Sequence, residues 1–204
     1  MRKVIVLALL GVVLAAVDQG ARVFAEAKLA ARAGEAATDE SATSASITSF
    51  PFLGRLLVSG SVAEVRVRVD GPTAGGLRLS TVLVEASGVV VDRSALTSGR
   101  VRVEGIDSGS VAIEVDGAAL AEAVNLPVTI GDGRVGVGVG GATVTADAEV
   151  DDGSLVLRVA GAPALRVPVA RTGLVPCAVT TLAIVGDRVR LACEVDQLPE
   201  ALRR

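Results

Sequence analysis

Valine alternates with polar residues along much of this chain, and the alternation limits the folds that are open to it. In SVAEVRVRVD, residues 61–70, the valines at 65, 67 and 69 fall on one side of an extended chain and charged residues on the other. A period of two is typical of a half-buried strand. Similar segments, bounded by Gly, Asp and Ser turns, recur about every 8–12 residues, which predicts a large antiparallel sheet.

Helices are predicted at two places after residue 47. GAALAEAV, residues 117–124, follows Asp116 as a candidate N-cap and is stopped by Asn125 and Pro127. LPEALRR, residues 198–204, has the composition of a short terminal helix.

Glycines alternate with valines in RVGVGVGG, residues 134–141, so that one face of the predicted strand carries no side chains. Glycine weakens a strand, and a run of it indicates strong coiling or close approach by another element, such as a helix or a ligand. A flexible edge strand is the other explanation, and both remain open at this point.

The N-terminus has the pattern of a targeting segment. Arg2 and Lys3 precede 14 apolar residues, 4–17, and Asp18 ends the run. As a helix this run would measure about 21 Å, against about 30 Å of bilayer hydrocarbon. We predict a signal peptide or an N-terminal anchor over residues 1–17, and export with either. The cleavage motif around LAAVD is weak, and a buried core helix is the remaining alternative.

The next segment predicts a helix followed by a linker. Residues 18–37 are rich in alanine with interspersed Glu and Lys, which favours a helix with an apolar stripe. Residues 38–46, TDESATSAS, are small and polar and predict a linker or exposed loop. The predicted domain organisation is therefore residues 1–17, then a helix and linker over 18–46, then a single β-rich domain over 47–204.

Composition argues against several classes of function. A net charge of −3, a pI near 5.1 and only three aromatic residues, all Phe, do not favour nucleic-acid binding. With no histidine, the commonest general base is missing, and the carboxylates stand mainly in turns. We predict no catalytic residues, no cofactor and no metal site, although a carboxylate pair of the glycosidase type stays open.

The chain has two cysteines, Cys177 and Cys193. An even number in an exported chain predicts a disulfide, whereas two buried free thiols are the alternative.

An aliphatic protein with these properties is suited to bind an apolar ligand such as acyl chains. SFPFLGRLL, residues 49–57, offers candidate lipid-binding residues, and two interpretations remain open. Pro51 holds the chain extended so that the rings form an apolar lip at a membrane or ligand mouth, or the rings fill the core. Arg55 would meet a phosphate beside the lip or be an ordinary solvated residue. The candidates are Phe50, Phe52, Leu53, Leu56 and Leu57.

Four stretches carry a resemblance to a known family. ITSFPFLGRLLVSGSVAEVRVRVDG, GGLRLSTVLVEASGVVVD, SVAIEVDGAALAEAV and VPCAVTTLAIVGDRVRLACEVDQLP together resemble the LmeA-like phospholipid-binding proteins of actinobacteria. The likeness covers nearly the whole chain, and its more specific parts are FPFL and the hairpin with both cysteines. Gly54 and Arg55 depart from the more polar continuation that the family has.

The resemblance implies a non-catalytic protein of the periplasm or cell envelope that binds phospholipid at a membrane surface. It also implies a part in lipoglycan assembly of the lipomannan type, with an envelope glycosyltransferase as a partner. The expected fold is α+β and mainly β, a long curved antiparallel sheet packed around or against an N-terminal helix with one short internal helix, by analogy with tubular lipid-binding proteins. The alternative function is a structural or accessory protein that docks on envelope enzymes without lipid.

Overall fold

A computed structural model describes residues 2–36, 41–74, 76–92, 94, 102–169, 175 and 177–195, with the side chains of the first helix described from residue 12 to residue 35. The helices are α1 (Arg2–Ala36), α2 (Phe52–Ser59) and α3 (Gly117–Val124). The strands are β1 (Ala42–Thr48), β2 (Ser61–Asp70), β3 (Thr73–Ala74), β4 (Leu77–Arg78), β5 (Thr81–Val91), β6 (Val103–Gly105), β7 (Ser108–Asp116), β8 (Val128–Gly131), β9 (Arg134–Val139), β10 (Ala142–Asp151), β11 (Ser154–Val159), β12 (Leu165–Pro168), β13 (Thr181–Val185) and β14 (Arg188–Val195). The predicted terminal helix at 198–204 lies outside the described residues.

The strands form two antiparallel sheets and a small hairpin. The first sheet has the order β1-β2-β5-β7-β14-β13, with β6 beside β5, and the second has the order β12-β11-β10-β9-β8. Among the described strands, β3 and β4 pair only with each other, and neither of the two sheets closes on itself. α1 packs on the first sheet. The predicted α+β, mainly β class with an N-terminal helix against an antiparallel sheet is confirmed, with the strands divided between two sheets.

The main core lies between the inner faces of the two sheets. Fully buried aliphatic residues alternate along their strands, as the period of two predicts. They include Val69, Val82, Val111, Ile113, Val189 and Leu191 from the first sheet and Val135, Val137, Leu155 and Leu157 from the second. Helix α3 adds Leu120 to this core. Its predicted N-cap is confirmed, because the Asp116 carboxylate accepts a hydrogen bond of 2.8 Å from the backbone N–H of Ala119.

Helix α1 covers the free edge of the first sheet. It is continuous from Arg2 to Ala36, so the predicted targeting segment and the Ala-rich segment are one helix. Glu26 accepts a hydrogen bond of 2.8 Å from the backbone N–H of Ile47, and the Thr43 hydroxyl donates to the Ala30 carbonyl at 3.0 Å. An uncovered edge strand is a template for pairing with other chains, and the helix occupies this position along β1.

The structure differs from the sequence expectation between residues 41 and 59. Of the predicted linker over residues 38–46, residues 42–46 instead belong to the edge strand β1, and residues 38–40 lie outside the described residues. β1 pairs with β2 from Ala42↔Asp70 to Thr48↔Glu64. Its small side chains give no apolar period, because α1 rather than a second sheet lies against it. Residues 52–59 form α2 instead of continuing extended, and the helix begins directly after the cis Phe50–Pro51 peptide bond.

The glycines of β9 accommodate neighbouring strands. β9 lies between β8 and β10 and is not an edge strand. A Cβ on Gly136 would come within 2.7 Å of the Thr129 hydroxyl and 2.8 Å of a Thr143 methyl, and one on Gly138 would come within 3.1 Å of Pro127. The structure therefore favours close approach over the flexible-edge explanation.

The predicted disulfide is confirmed. Cys177 and Cys193 are bonded, with their Cα atoms 6.1 Å apart. Cys193 lies on β14 in the main core, so the bond ties the segment before β13 to the strand next to the β13 edge of the first sheet. Disulfides are typical of oxidising compartments outside the cytoplasm.

Gly88, inside β5, supplies a test of the fold. Its φ is +60°, and a Cβ built on it would lie 1.9 Å from an Asp107 carboxylate oxygen. We expect Gly88→Ala to lower the free energy of unfolding by about 1–3 kcal/mol. Alanine is strained at a φ that glycine adopts freely, and Asp107 must move to make room for the new methyl group. Gly105→Ala is the control, since a Cβ built there has no described atom within 4 Å apart from those of its own chain neighbours. Urea unfolding measures the stability of both variants. Equal midpoints for Gly88→Ala and Gly105→Ala would contradict the close contact between Gly88 and Asp107.

Candidate functional site at the junction of α1 and α2

Asp18 of α1 holds the N-terminus of α2. Its two carboxylate oxygens accept hydrogen bonds from the backbone N–H groups of Phe52 at 2.9 Å and Leu53 at 2.6 Å. Pro51, at the N-cap position, supplies no side-chain cap of its own. The first N–H groups of a helix need acceptors, and a negative charge there also suits the helix dipole. Asp18 is 6% exposed, so this contact is buried.

Two more polar side chains follow Asp18 along the same face of α1. Arg22 and Glu26 stand at intervals of one turn, and Arg22 Nε lies 3.5 Å from a Glu26 carboxylate oxygen. Glu26 in turn accepts the N–H of Ile47. Ser49, 5% exposed, lies in the short segment between Ile47 and Phe52. Sequence reasoning found neither Arg22 nor Ser49, because nothing in the local pattern shows that α1 and residues 47–53 meet.

The structure divides the five predicted lipid-binding residues into two groups. Phe52 is 4% exposed and packs in a second core cluster with Ile47 and Val62, and Leu53 and Leu56 pack against that cluster. Phe50 is 73% exposed and Leu57 67%. Core and surface positions therefore alternate around Pro51 and along α2, and whether the exposed members touch lipid stays a prediction.

A third exposed apolar residue joins Phe50 and Leu57. Val58 is 80% exposed on the outer side of α2. A helical period over residues 52–59 would have placed it beside Leu57, but the segment was not predicted as a helix. We call Phe50, Leu57 and Val58 the apolar collar. Arg55 is also exposed on α2.

An exposed part of α1 ends at Asp18, the residue that holds the start of α2. Val12, Val13, Leu14 and Val17 are between 54% and 67% exposed. Consecutive residues point in all directions around a helix, so no described part of the protein covers any side of α1 over residues 12–17. We call residues 12–17 of α1 the spike. Among the described residues, no helix is both long enough and apolar enough to cross a membrane.

A strip of small apolar residues runs along the inner face of the first sheet. The register places Ala45 opposite Val67 and Val67 opposite Val84, and Val65 stands opposite Ala86. All five are half-buried, in contrast to the fully buried valines between the two sheets. Leu29 of α1 packs in the same cluster as Val65, so the strip passes beside this helix.

The outer face of the first sheet carries ion pairs. Glu114 accepts hydrogen bonds from Arg190 and, at 3.1 Å, from Arg188, and the Arg190 guanidinium lowers the pKa of this carboxyl group. The hydrogen bond from the Ala119 N–H lowers the pKa of Asp116. A glycosidase general acid needs a raised pKa, so neither carboxylate suits that role. The described residues contain no group of three Cys, Asp or Glu side chains that could hold a metal ion.

The comparisons with known proteins identify the family. The model of the LmeA-like phospholipid-binding family matches residues 16–203. The chain belongs to the LmeA-like phospholipid-binding family. No curated protein and no solved structure matched it. In this LmeA-like chain the matched range includes Asp18, the collar, the inner-face strip and both cysteines, which confirms the predicted family and supports phospholipid as its ligand.

The Asp18 contact can be tested by stability. We expect Asp18→Ala to lower the free energy of unfolding by about 1–2 kcal/mol, because it leaves two buried N–H groups of α2 without their acceptor. Asp147→Ala, at an exposed position of β10, is the matched control and should change stability by less than about 0.5 kcal/mol. Thermal and urea unfolding give the comparison, and an unaltered Asp18→Ala protein would show that α2 is held by other contacts.

The carboxylates of the outer face predict a dependence of stability on pH. Because the folded pKa of Glu114 and of Asp116 is lowered, each contributes stability that is present above its ordinary pKa of 4.5 or 3.8. That stability is lost as the pH falls through the ordinary and then the folded value. Glu114→Gln should therefore lower the melting temperature at pH 7 and reduce its drop between pH 7 and pH 3. An identical drop in the wild type and the variant would contradict this.

Proposed function

We propose that this chain is a non-catalytic phospholipid-binding protein of the cell envelope. It is exported, works in the periplasm at a membrane surface, and holds acyl chains on apolar protein surface. Family membership supports the ligand. The observation that supports the binding surface is the exposure of Phe50, Leu57 and Val58 on and beside α2, the helix whose start is held by Asp18 directly after the exposed residues 12–17 of α1.

The inner-face strip suits acyl chains on physical grounds. Burying a methylene group contributes about 0.8 kcal/mol without any specific polar contact. The alanine and valine side chains of the strip are small and half-buried. They therefore still expose apolar area, beside α1, that an acyl chain can cover. A chain laid along Ala45, Val67 and Val84 would cross three neighbouring strands, β1, β2 and β5.

The proposed role in the envelope is support of lipoglycan assembly or of envelope lipid handling. A protein that takes acyl chains at a membrane surface can present a lipid-linked substrate to an envelope glycosyltransferase. Such a role needs binding and positioning, and it needs no reactive group. The net charge of −3 and the shortage of aromatic residues make nucleic acid an unsuitable partner.

A second candidate is an accessory protein that docks on envelope enzymes without lipid. One observation favours it. β13 ends the first sheet, and no described strand pairs with its outer side, whereas the opposite edge at β1 is covered by α1. An open edge strand can accept a strand from a partner.

Flotation with phospholipid vesicles tests the collar. We expect Phe50→Ser combined with Leu57→Ser to lower the vesicle-bound fraction several-fold and to leave the melting temperature nearly unchanged, because both side chains are already exposed. Val185→Ser removes an equally simple apolar side chain, 45% exposed on β13, and should leave binding intact. Phe52→Ser should instead cost about 3–5 kcal/mol of stability, since its ring is buried.

The same variants separate the two candidate functions. The full chain is used, because α1 supplies Asp18 and Glu26 to the fold. Phospholipid that co-purifies with the protein in native mass spectrometry supports the first function. If the protein purifies without lipid, and neither the wild type nor the collar variant binds vesicles, phospholipid binding is refuted and docking on envelope enzymes is favoured.

A further inference from the structure

Two buried polar atoms at the α1 junction form no hydrogen bond with the described residues. They are Arg22 Nε and Ser49 Oγ, both inaccessible to solvent. Arg22 Nε lies at ion-pair distance, 3.5 Å, from a Glu26 carboxylate oxygen, but this contact is not a hydrogen bond. A buried polar group without a partner costs about 1–3 kcal/mol. Most such groups in folded proteins are satisfied, so an exception calls for an explanation such as a bound ligand or an ordered water.

The contacts of α1 place these two atoms on the same stretch of the junction. Asp18 contacts Phe52, and Glu26 contacts Ile47, so the helix and residues 47–52 run in opposite directions. Arg22 is one turn from each carboxylate along the same helix face. Ser49 lies between Ile47 and Phe52 along the chain. Both groups therefore lie between the same two contacts.

The chemistry of the pair selects an acceptor. The Nε–H of an arginine can only donate, and a serine hydroxyl can donate or accept. Each of the two groups can therefore donate a hydrogen bond to an oxygen atom. An acceptor that enters between them would satisfy two buried groups at once.

The surrounding charge selects a neutral acceptor over an anion. Arg22 stands between Asp18 and Glu26, and these three side chains together carry a formal charge of −1 at neutral pH. A phosphate oxygen would meet the repulsion of both carboxylates. A carbonyl oxygen carries only a partial charge and avoids most of this cost.

Apolar side chains adjoin the pair. Ala21 and Ala25, on the same side of α1, pack in the second core cluster with Ile47 and Phe52, and exposed Phe50 directly follows Ser49. The Arg22 side chain is 35% exposed, so the site lies at the rim of this cluster. A group that fits here joins a polar oxygen to a hydrocarbon chain.

We propose that Arg22 Nε and Ser49 Oγ donate hydrogen bonds to an acyl-ester carbonyl oxygen of a glycerophospholipid. The inference rests on the proposed function and deepens it, because it gives the protein a means to select ester-linked chains. Under the proposed function, the collar and the strip bind the hydrocarbon of a lipid whether its chains are joined to glycerol by ester or by ether bonds. The Arg22–Ser49 pair distinguishes an ester from an ether.

The test compares two lipids with the same headgroup and chain length. One is a diacyl phosphatidylglycerol and the other is its dialkyl ether analogue, which lacks the carbonyl oxygens. Each is presented to the full-length protein in detergent micelles, and the dissociation constant is measured by titration. We expect the wild type to bind the ester about tenfold more tightly than the ether, the effect of one or two hydrogen bonds to otherwise unsatisfied groups.

Ser49→Ala should remove most of the preference while leaving the melting temperature of the lipid-free protein unchanged or raised. The reason is that alanine deletes a buried hydroxyl that has no partner in the protein. Arg22→Lys, which keeps the charge but loses the Nε donor, should also reduce the preference. Ser46→Ala, at an exposed position of β1, is the matched control and should bind like the wild type.

Two outcomes overturn the inference, and they differ from failure of the proposed function. If the wild type binds ester and ether lipids equally, or if Ser49→Ala retains the full preference, the pair does not recognise the carbonyl. If neither lipid binds at all, the proposed function itself fails, and the inference fails with it.

Discussion

The bond from Asp18 to the first N–H groups of α2 is the contact on which the functional end of this molecule depends. It fixes α2 against α1, and through α2 it sets where Phe52 enters the core and where Phe50, Leu57 and Val58 remain exposed. The Glu26 contact to Ile47 adds a second fixed point, so residues 47–53 are held at both ends. A short segment without a strong preference of its own thus obtains its conformation from a helix 34 residues earlier.

The two faces of the first sheet differ in chemistry, since the outer face is charged and the inner face is apolar. The outer face consists of ion pairs such as those of Glu114 with Arg188 and Arg190, which suit contact with water. The inner face is fully buried where the second sheet covers it and half-buried where only α1 stands beside it. The apolar area available to a ligand is therefore a by-product of how far the second sheet extends.

Much of the fold follows from local sequence, and the functional end does not. Alternating valines predicted the central strands, Asp116 predicted α3, and two cysteines in a chain predicted to be exported indicated their disulfide. β1 was missed because ATSASIT has no apolar period, and α2 was missed because its cap is remote. The sequence also could not separate Phe50 from Phe52, since two rings on either side of a proline have the same composition and opposite burial. Long-range contacts decide these positions.

The continuity of α1 has a mechanical consequence. At 1.5 Å per residue its 35 residues extend about 52 Å without a joint. A body attached through a flexible tether can swing and sample a large volume around its attachment point. A body mounted on an unbroken helix, and braced against it at Asp18 and Glu26, keeps one height and one heading relative to whatever holds the spike. Under the proposed function, this rigidity suits a protein that binds lipid at a fixed distance from a membrane surface more than one that carries lipid between two membranes.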